Sequence, residues 1–393
     1  MFESRGSIIR DGAPLDFKYV PNVLVGRQSQ MDQMEASFRP LFFSNTPCSA
    51  YLSGPVGSGK TVTAMRFCSD MAEAFAKAGK KLDVISVNCR LRSGEYAVIL
   101  DMVRFYDRGF PDRGFSTEEI LASFRKHVSD GRHPVLVVLD EVDSLLASPG
   151  RDLVYMLTRL SDLNEGASLS LVMISQKPLA SLSMDPASLS TFGRASTVDF
   201  NRYDRADLRE IAKQRADLAL YTGVLDEGCL DLIADAAEPF GDARFALEVL
   251  EKASNLAETK GDSKIRAEYI QKATGSVHSD FSEMKVEDLD LNKLVILLAI
   301  ARSLFKVESV TLVHAEGTYA AACEEYGLPV KKHTMFYTHV KSLESIGFVH
   351  ADVRNEPGVG RSTYLSLPDI SPRDLADILE SAIERKMGGD YEV

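Results

Sequence analysis

No apolar run in this sequence reaches the ~18 residues that a membrane-crossing helix requires, and no secretory leader opens it, so a soluble, cytoplasmic chain is expected. Cysteine is scarce. The five cysteines (Cys48, Cys68, Cys89, Cys229 and Cys323) are scattered, odd in number and without C-x-x-C spacing. They read as small core residues in a reducing compartment, which argues against a disulfide or zinc framework. The seven histidines form no metal-ligand cluster; His333 and His339 share a predicted helix but are poorly spaced to chelate one ion. Positive charge is in deficit, with 45 lysines and arginines against 57 aspartates and glutamates, a net charge of −12. That argues against non-specific attraction of the whole surface to nucleic acid or anionic membranes and leaves room for a local basic face. Internal repeats and low-complexity tracts are missing. A hydrophobic fraction of 45% with 26% charged residues belongs to a globular chain. At 393 residues it is long enough for two or three domains.

What is present begins with Gly54-Pro55-Val56-Gly57-Ser58-Gly59-Lys60-Thr61, which completes the G-x-x-x-x-G-K-[ST] pattern of a phosphate-binding loop. A short apolar strand (50–52) precedes it and a helical stretch (62–78) follows. The glycines let successive backbone N–H groups turn inward around phosphate oxygens, aided by the positive end of the helix. Gly57, Ser58, Gly59, Lys60, Thr61 and Val62 are the expected ATP or ADP contacts, with Lys60 on the β- and γ-phosphates and Thr61 on Mg²⁺. A second element matches. The β-branched run Pro134-Val135-Leu136-Val137-Val138-Leu139 reads as a strand buried on both faces and ends in Asp140-Glu141. Asp140 would hold the metal with Thr61, and Glu141 would orient the attacking water.

Strand-like runs at 50–52, 82–87, 135–139, 169–175 and 196–200 alternate with helices, one of which opens on the capping-box pair Ser116 and Glu119. The expected fold is α/β: a parallel sheet covered by helices on both faces, with ligands at the carboxyl ends of its strands. The rhythm then changes to helices alone (204–221, 226–237, 242–260 and 266–273), a small all-α domain. A polar, acid-rich stretch follows as a linker. After it come helices at 293–305, 319–326 and 332–346 and strands at 348–353 and 362–367. Three helices and a hairpin with a basic-tipped loop make a winged helix, and a last helix begins at Ser371-Pro372. The expected partition is a nucleotide-binding core over 1–201, a lid over 202–278, a linker over 279–290 and a winged-helix domain over 291–393.

This arrangement resembles the archaeal-type origin-recognition and cell-division-control initiators, AAA+ ATPases with a C-terminal winged helix. The likeness rests on the phosphate loop, on Tyr19-Val20-Pro21 with Gly26-Arg27, on Asn88-Cys89-Arg90, on Phe200-Asn201-Arg202-Tyr203, on Gln214-Arg215 and on Gly241-Asp242-Ala243-Arg244. It implies that Tyr203 and Arg215 line the nucleotide pocket and that Arg244 leans from the lid onto the γ-phosphate. It also implies that a helical insertion over 96–114 touches DNA. Two departures stand out. Gln176 occupies the place of the family's water-polarising asparagine. In Met184-Asp185-Pro186-Ala187-Ser188, Ala187 stands where an arginine donated to a neighbour's phosphate is expected, with Arg194 a few residues on. Slow turnover follows, with ATP acting as a bound switch.

A winged helix offers its third helix to the major groove and its wing to the backbone. Thr334, Tyr337, Thr338 and Lys341 would reach base edges; Lys331, Lys332, Arg354 and Arg361 would contact phosphates. The implied function is an ATP-dependent replication initiator that binds double-stranded origin DNA beside other initiator copies, at the nucleoid, and recruits or loads the replicative helicase. Two rivals stay open: a regulatory P-loop NTPase that binds other DNA, and a non-hydrolysing helicase adaptor.

Overall fold

The computed structural model describes residues 7–92, 94–131, 133–146, 152–158, 168–179, 196–287, 289–346, 348–356, 360–367 and 372–388. Met184 to Ser188 and Arg194 lie outside them. The chain divides into two units, Arg10–Leu220 with Gly241–Leu247, and Met1–Ile9 with Tyr221–Phe240 and Glu248–Val393.

In the first unit, α1 (Gln28–Ser44) leads into β1 (Ser49–Ser53), the phosphate loop and α2 (Lys60–Lys77). Then follow β2 (Asp83–Asn88), α3 (Glu95–Tyr106), α4 (Thr117–Gly131), β3 (Val135–Asp140), α5 (Val142–Leu146), α6 (Asp152–Thr158), β4 (Leu169–Ser175), β5 (Ser196–Asp199) and α7 (Arg205–Ala219). The strands pair in parallel in the order β2-β3-β4-β1-β5. Pleating sends alternate residues to opposite faces. Val135, Val137 and Leu139 of β3 join a core with α3 and α4, while Leu136 and Val138 join a second core with α1 and α2. Burial on both faces explains why β3 and β4 read as unbroken apolar runs. The capping box forms as expected: Ser116 N–H donates to Glu119 Oε2 at 2.7 Å and Glu119 N–H to Ser116 Oγ at 3.2 Å.

The expected helical insertion over 96–114 is corrected. α3 stops at Tyr106, and the Gly- and Pro-bearing residues after it are not helical. Val98, Ile99, Met102 and Val103 of α3 belong to the sheet's core, so this helix is a layer of the fold.

The second unit holds α8 (Glu227–Ala237), most of α9 (Ala243–Lys260), α10 (Ala267–Glu287), α11 (Leu291–Ser303), β6 (Val310–Thr311), α12 (Leu312–Glu325), α13 (His333–Ile346), β7 (His350–Glu356), β8 (Gly360–Ser366) and α14 (Pro372–Gly388). α11 is its axis. Leu294 through Ala301 are all buried, as befits a helix apolar on every side. Phe336, Val340 and Leu343 of α13 and Leu375, Leu379 and Ile383 of α14 share its core.

Three expectations change here. The linker over 279–290 is helical as far as Glu287, because α10 continues without a break. Its acid-rich composition hid the apolar anchors Val286 and Leu289, which are buried. The wing is a three-stranded sheet in the order β6-β8-β7, the two-residue β6 pairing through Val310 with Leu365. Its hairpin strands also run further than expected: Arg354 pairs with Ser362 and Asn355 with Arg361, so both arginines stand on the ladder.

Candidate nucleotide site and nucleic-acid interface

The phosphate loop leaves β1 and closes onto the first turn of α2. Gly54, Gly57 and Gly59 have φ of 150°, 71° and 84°, values that L side chains rarely adopt. The loop is also covered tightly. A Cβ on Gly57 would fall 1.8 Å from Asp242 Cγ, and one on Gly59 would fall 2.2 Å from Tyr203 Oη. Glycine at 57 and 59 is therefore demanded by neighbours as well as by dihedral angle.

Lys60 is nearly buried, and its Nζ donates to Gly54 O and Pro55 O, both at 2.7 Å. Burial pulls the ammonium down to about 8. The Arg244 guanidinium adds to this, while Asp140, Asp143 and Asp242 oppose it. Thr61 Oγ1 donates to Asp140 Oδ2 at 3.0 Å, joining the first turn of α2 to the tip of β3. These are two hard oxygen donors side by side, the chemistry a Mg²⁺ ion takes when phosphate and water oxygens complete its shell. Burial raises the Asp140 carboxyl, against the Thr61 hydroxyl, the Glu141 N–H and the Lys60 and Arg244 charges. Glu141 is half-buried and adopts φ 53°, the left-handed region. Burial and then the neighbouring Asp140 raise its pKa, opposed by Arg90, whose Nε lies 4.0 Å from Glu141 Oε2.

Arg27 is the residue that sequence reasoning undervalued. Its guanidinium is buried, stacks 3.7 Å from the centroid of the Tyr203 ring, and donates to Ser58 O at 2.9 Å, Gly26 O at 2.8 Å and Asn201 O at 2.8 Å. One cation thus binds the opening segment, the phosphate loop and the exit of β5 together. Tyr203 is buried beneath it, so its ring acts on the loop through Gly59.

In the winged helix, α13 turns Thr334, Met335, Tyr337, Thr338 and Lys341 outward, opposite the buried Phe336, Val340 and Leu343. Lys341 Nζ meets Glu344 Oε2 at 2.6 Å and lies 5.9 Å from the Tyr337 ring centroid. On the wing, Arg354 Nε donates to Asp352 Oδ2 at 2.9 Å and its guanidinium lies 4.7 Å over the Tyr364 ring.

Three family models match in chain order: an AAA domain over residues 45–182, a Cdc6 AAA+ ATPase-type lid domain over 209–275 and a CDC6 C-terminal winged helix domain over 284–377. The ORC1-type DNA replication protein of Pyrococcus furiosus is 30% identical over 369 residues, covering 92% of this chain and 87% of that protein. The chain belongs to the ORC1-type DNA replication protein family. A second ORC1-type relative, from Archaeoglobus fulgidus, is 27% identical over 365 residues, 93% of this chain and 89% of its own length. Among solved structures, the Aeropyrum pernix Orc1 protein in complex with DNA superposes with a TM-score of 0.68 at 27% identity, over 98% of this chain and all of that one. The Aeropyrum pernix ORC2 protein shares the fold, with a TM-score of 0.75 at 23% identity, covering 97% of this chain and 100% of that one.

Within this ORC1-type chain, Lys60, Thr61, Asp140 and Glu141 come together, and the Arg244 charge acts on Lys60, Asp140 and Glu141. Gln176 is exposed just beyond β4. Arg215 is buried. Its Nη1 and Nη2 donate to Pro14 O at 2.8 Å and Tyr19 O at 3.0 Å, so it holds the opening segment. Gln214 helps by donating to Val23 O at 2.9 Å. Of the DNA-facing candidates, Lys332, Thr334, Tyr337, Thr338, Lys341 and Arg354 are exposed and Lys331 is half-buried.

Proposed function

We propose that this chain is an ATP-dependent replication initiator of the ORC1 type. The loop 57–62 holds the phosphates, and Tyr203 and Arg215 shape the pocket from outside it. Arg244 meets the γ-phosphate, and Glu141, with Gln176 at hand, orients the attacking water. Thr61 and Asp140 would hold Mg²⁺, which supplies neutralisation of charge on the β- and γ-oxygens when bound. Lys60 and Arg244 stabilise the charge that develops on the transferring phosphoryl. Hydrolysis is slow, in keeping with Ala187 at the place of a donated arginine, and nucleotide serves as the switch. The winged helix grips origin duplex through α13 and the wing, beside further copies, and the complex recruits or loads the replicative helicase. We read the chain as a nucleotide-binding core over 1–201, a lid over 202–278 and a winged helix over 291–393, with α10 running through the linker residues as far as Glu287.

The observation that carries this reading is the Thr61–Asp140 contact at 3.0 Å, joining the two halves of a Mg-nucleotide site in a chain that also presents the exposed polar row of α13. Labelled duplex from the host's replication origin, titrated with and without ATP over a salt series, tests it. The expected result is tighter binding to origin than to random duplex, with a logarithmic salt slope equivalent to about four to six released counterions. Equal affinity for both duplexes would favour the regulatory reading.

A further inference from the structure

Arg244 has a role in the reading above, and its neighbour Asp242 has none. Asp242 is 2% exposed, a carboxylate buried against the backbone of an anion-binding loop. Its charge opposes an incoming phosphate, so its seat beside the loop calls for an offsetting contribution. Its Oδ1 accepts the backbone N–H of Arg244 at 2.8 Å, which makes it the N-cap of α9. The helix so capped is tied down on both sides of that bond. Ala243 N–H donates to Gly57 O at 3.3 Å, and Tyr203 N–H donates to Gly241 O at 3.1 Å. The close seat of Asp242 on Gly57 leaves the capped turn no slack toward the loop. The Arg244 charge, launched from this turn, acts on Lys60, Asp140 and Glu141 alike.

We propose that Asp242 is a positioning residue for nucleotide discrimination: by capping α9 at the Arg244 amide while seated on Gly57, it fixes the Arg244 guanidinium over the end of the phosphate chain, so that the site distinguishes a nucleoside triphosphate from a diphosphate. This rests on the reading of residues 54–61 as the nucleotide loop. Arg244 supplies the contact, and Asp242 sets where it is made. The acceptor oxygen does this work, so an uncharged capping side chain of the same shape serves as well.

Calorimetric titration of the full chain with ADP and with a non-hydrolysable ATP analogue tests the proposal. The wild type should prefer the triphosphate, and Arg244→Ala should lower that preference about tenfold. Asp242→Ala should lower it by a similar factor while ADP affinity changes about threefold or less. Asp242→Asn, which keeps the acceptor, should restore the preference, and the Asp242→Ala/Arg244→Ala pair should lose no more than Arg244→Ala alone. Should the alanine variant lack the native circular-dichroism spectrum, Asp242→Gly carries the test, since glycine is tolerated at an N-cap but offers no acceptor. The proposal is overturned if the variant lacking the acceptor keeps the preference, if Asp242→Asn loses it as fully, or if the wild type binds both nucleotides equally. A wild type that binds neither nucleotide overturns the nucleotide-loop reading itself, and this inference with it.

Discussion

Lys60 carries a cost that a bound phosphate would remove. A free lysine titrates near ~10.4, whereas burial, with Arg244 nearby, pulls Lys60 down to about 8. Because the folded value lies below the unfolded one, Lys60 weakens the fold in full below about pH 8, and the penalty fades as pH climbs towards about 10.4. A phosphate oxygen beside the ammonium favours its charged form, so nucleotide binding above pH 8 should draw in a proton. Calorimetry at about pH 8.5 in two buffers of different ionisation heat should register an uptake of about half a proton or more. No uptake would separate Lys60 from the phosphates. At this scale the sequence was readable wherever residues sit close along the chain, as from Gly54 to Thr61. Arg27 was not, because its three acceptors come from positions 26, 58 and 201, and no spacing announces such a meeting. The partners of Arg215 were hidden for the same reason: positions 14 and 19 lie far upstream.

Among elements, α13 combines a buried face legible from its period with an outer face whose main cation is already engaged. Glu344 holds Lys341 at 2.6 Å and must release it before Lys341 can reach a DNA phosphate or base. Glu344→Gln should therefore tighten duplex binding by about two- to fivefold, a gain within the range of a surface pair. Lys341→Ala should weaken binding and lower the salt slope by about one. Fluorescence anisotropy over a salt series measures both. A Glu344→Gln variant with unchanged affinity would mean that Lys341 stays off the DNA. The sheet strands and most helices followed from apolar period, because each buries a stripe set by its own residues. The two-residue β6 left no such mark, since its existence depends on β8 arriving from far along the chain. The wing's outer rungs, Arg354 to Glu356, are polar residues on the backbone ladder, so composition described them as loop. The length of α10 was missed because acid-rich composition outweighed a few well-spaced apolar anchors.

For the whole molecule, the net charge of −12 opposes indiscriminate attraction to nucleic acid. The fold class was open to sequence reading because a parallel sheet buried on both faces writes its strands as apolar runs. The internal structure of each unit was less so, resting on contacts such as the Tyr203 ring over Gly59 that join distant segments. Glu141 shows what such a chain gives up globally. A non-glycine residue held at φ 53° carries about 1 kcal/mol of backbone strain, and its carboxylate sits half-buried beside Asp140. Asparagine accepts that backbone more readily and carries no charge, so Glu141→Asn should raise the melting temperature by about 1–3 °C in differential scanning calorimetry while abolishing ATP turnover. An unchanged or lower melting point would mean that the strain is relieved elsewhere. A laboratory lineage selected for heat resistance alone would then drift toward losing this carboxylate, and a cell that still needs the reaction would hold its protein short of the hardiest variant within reach.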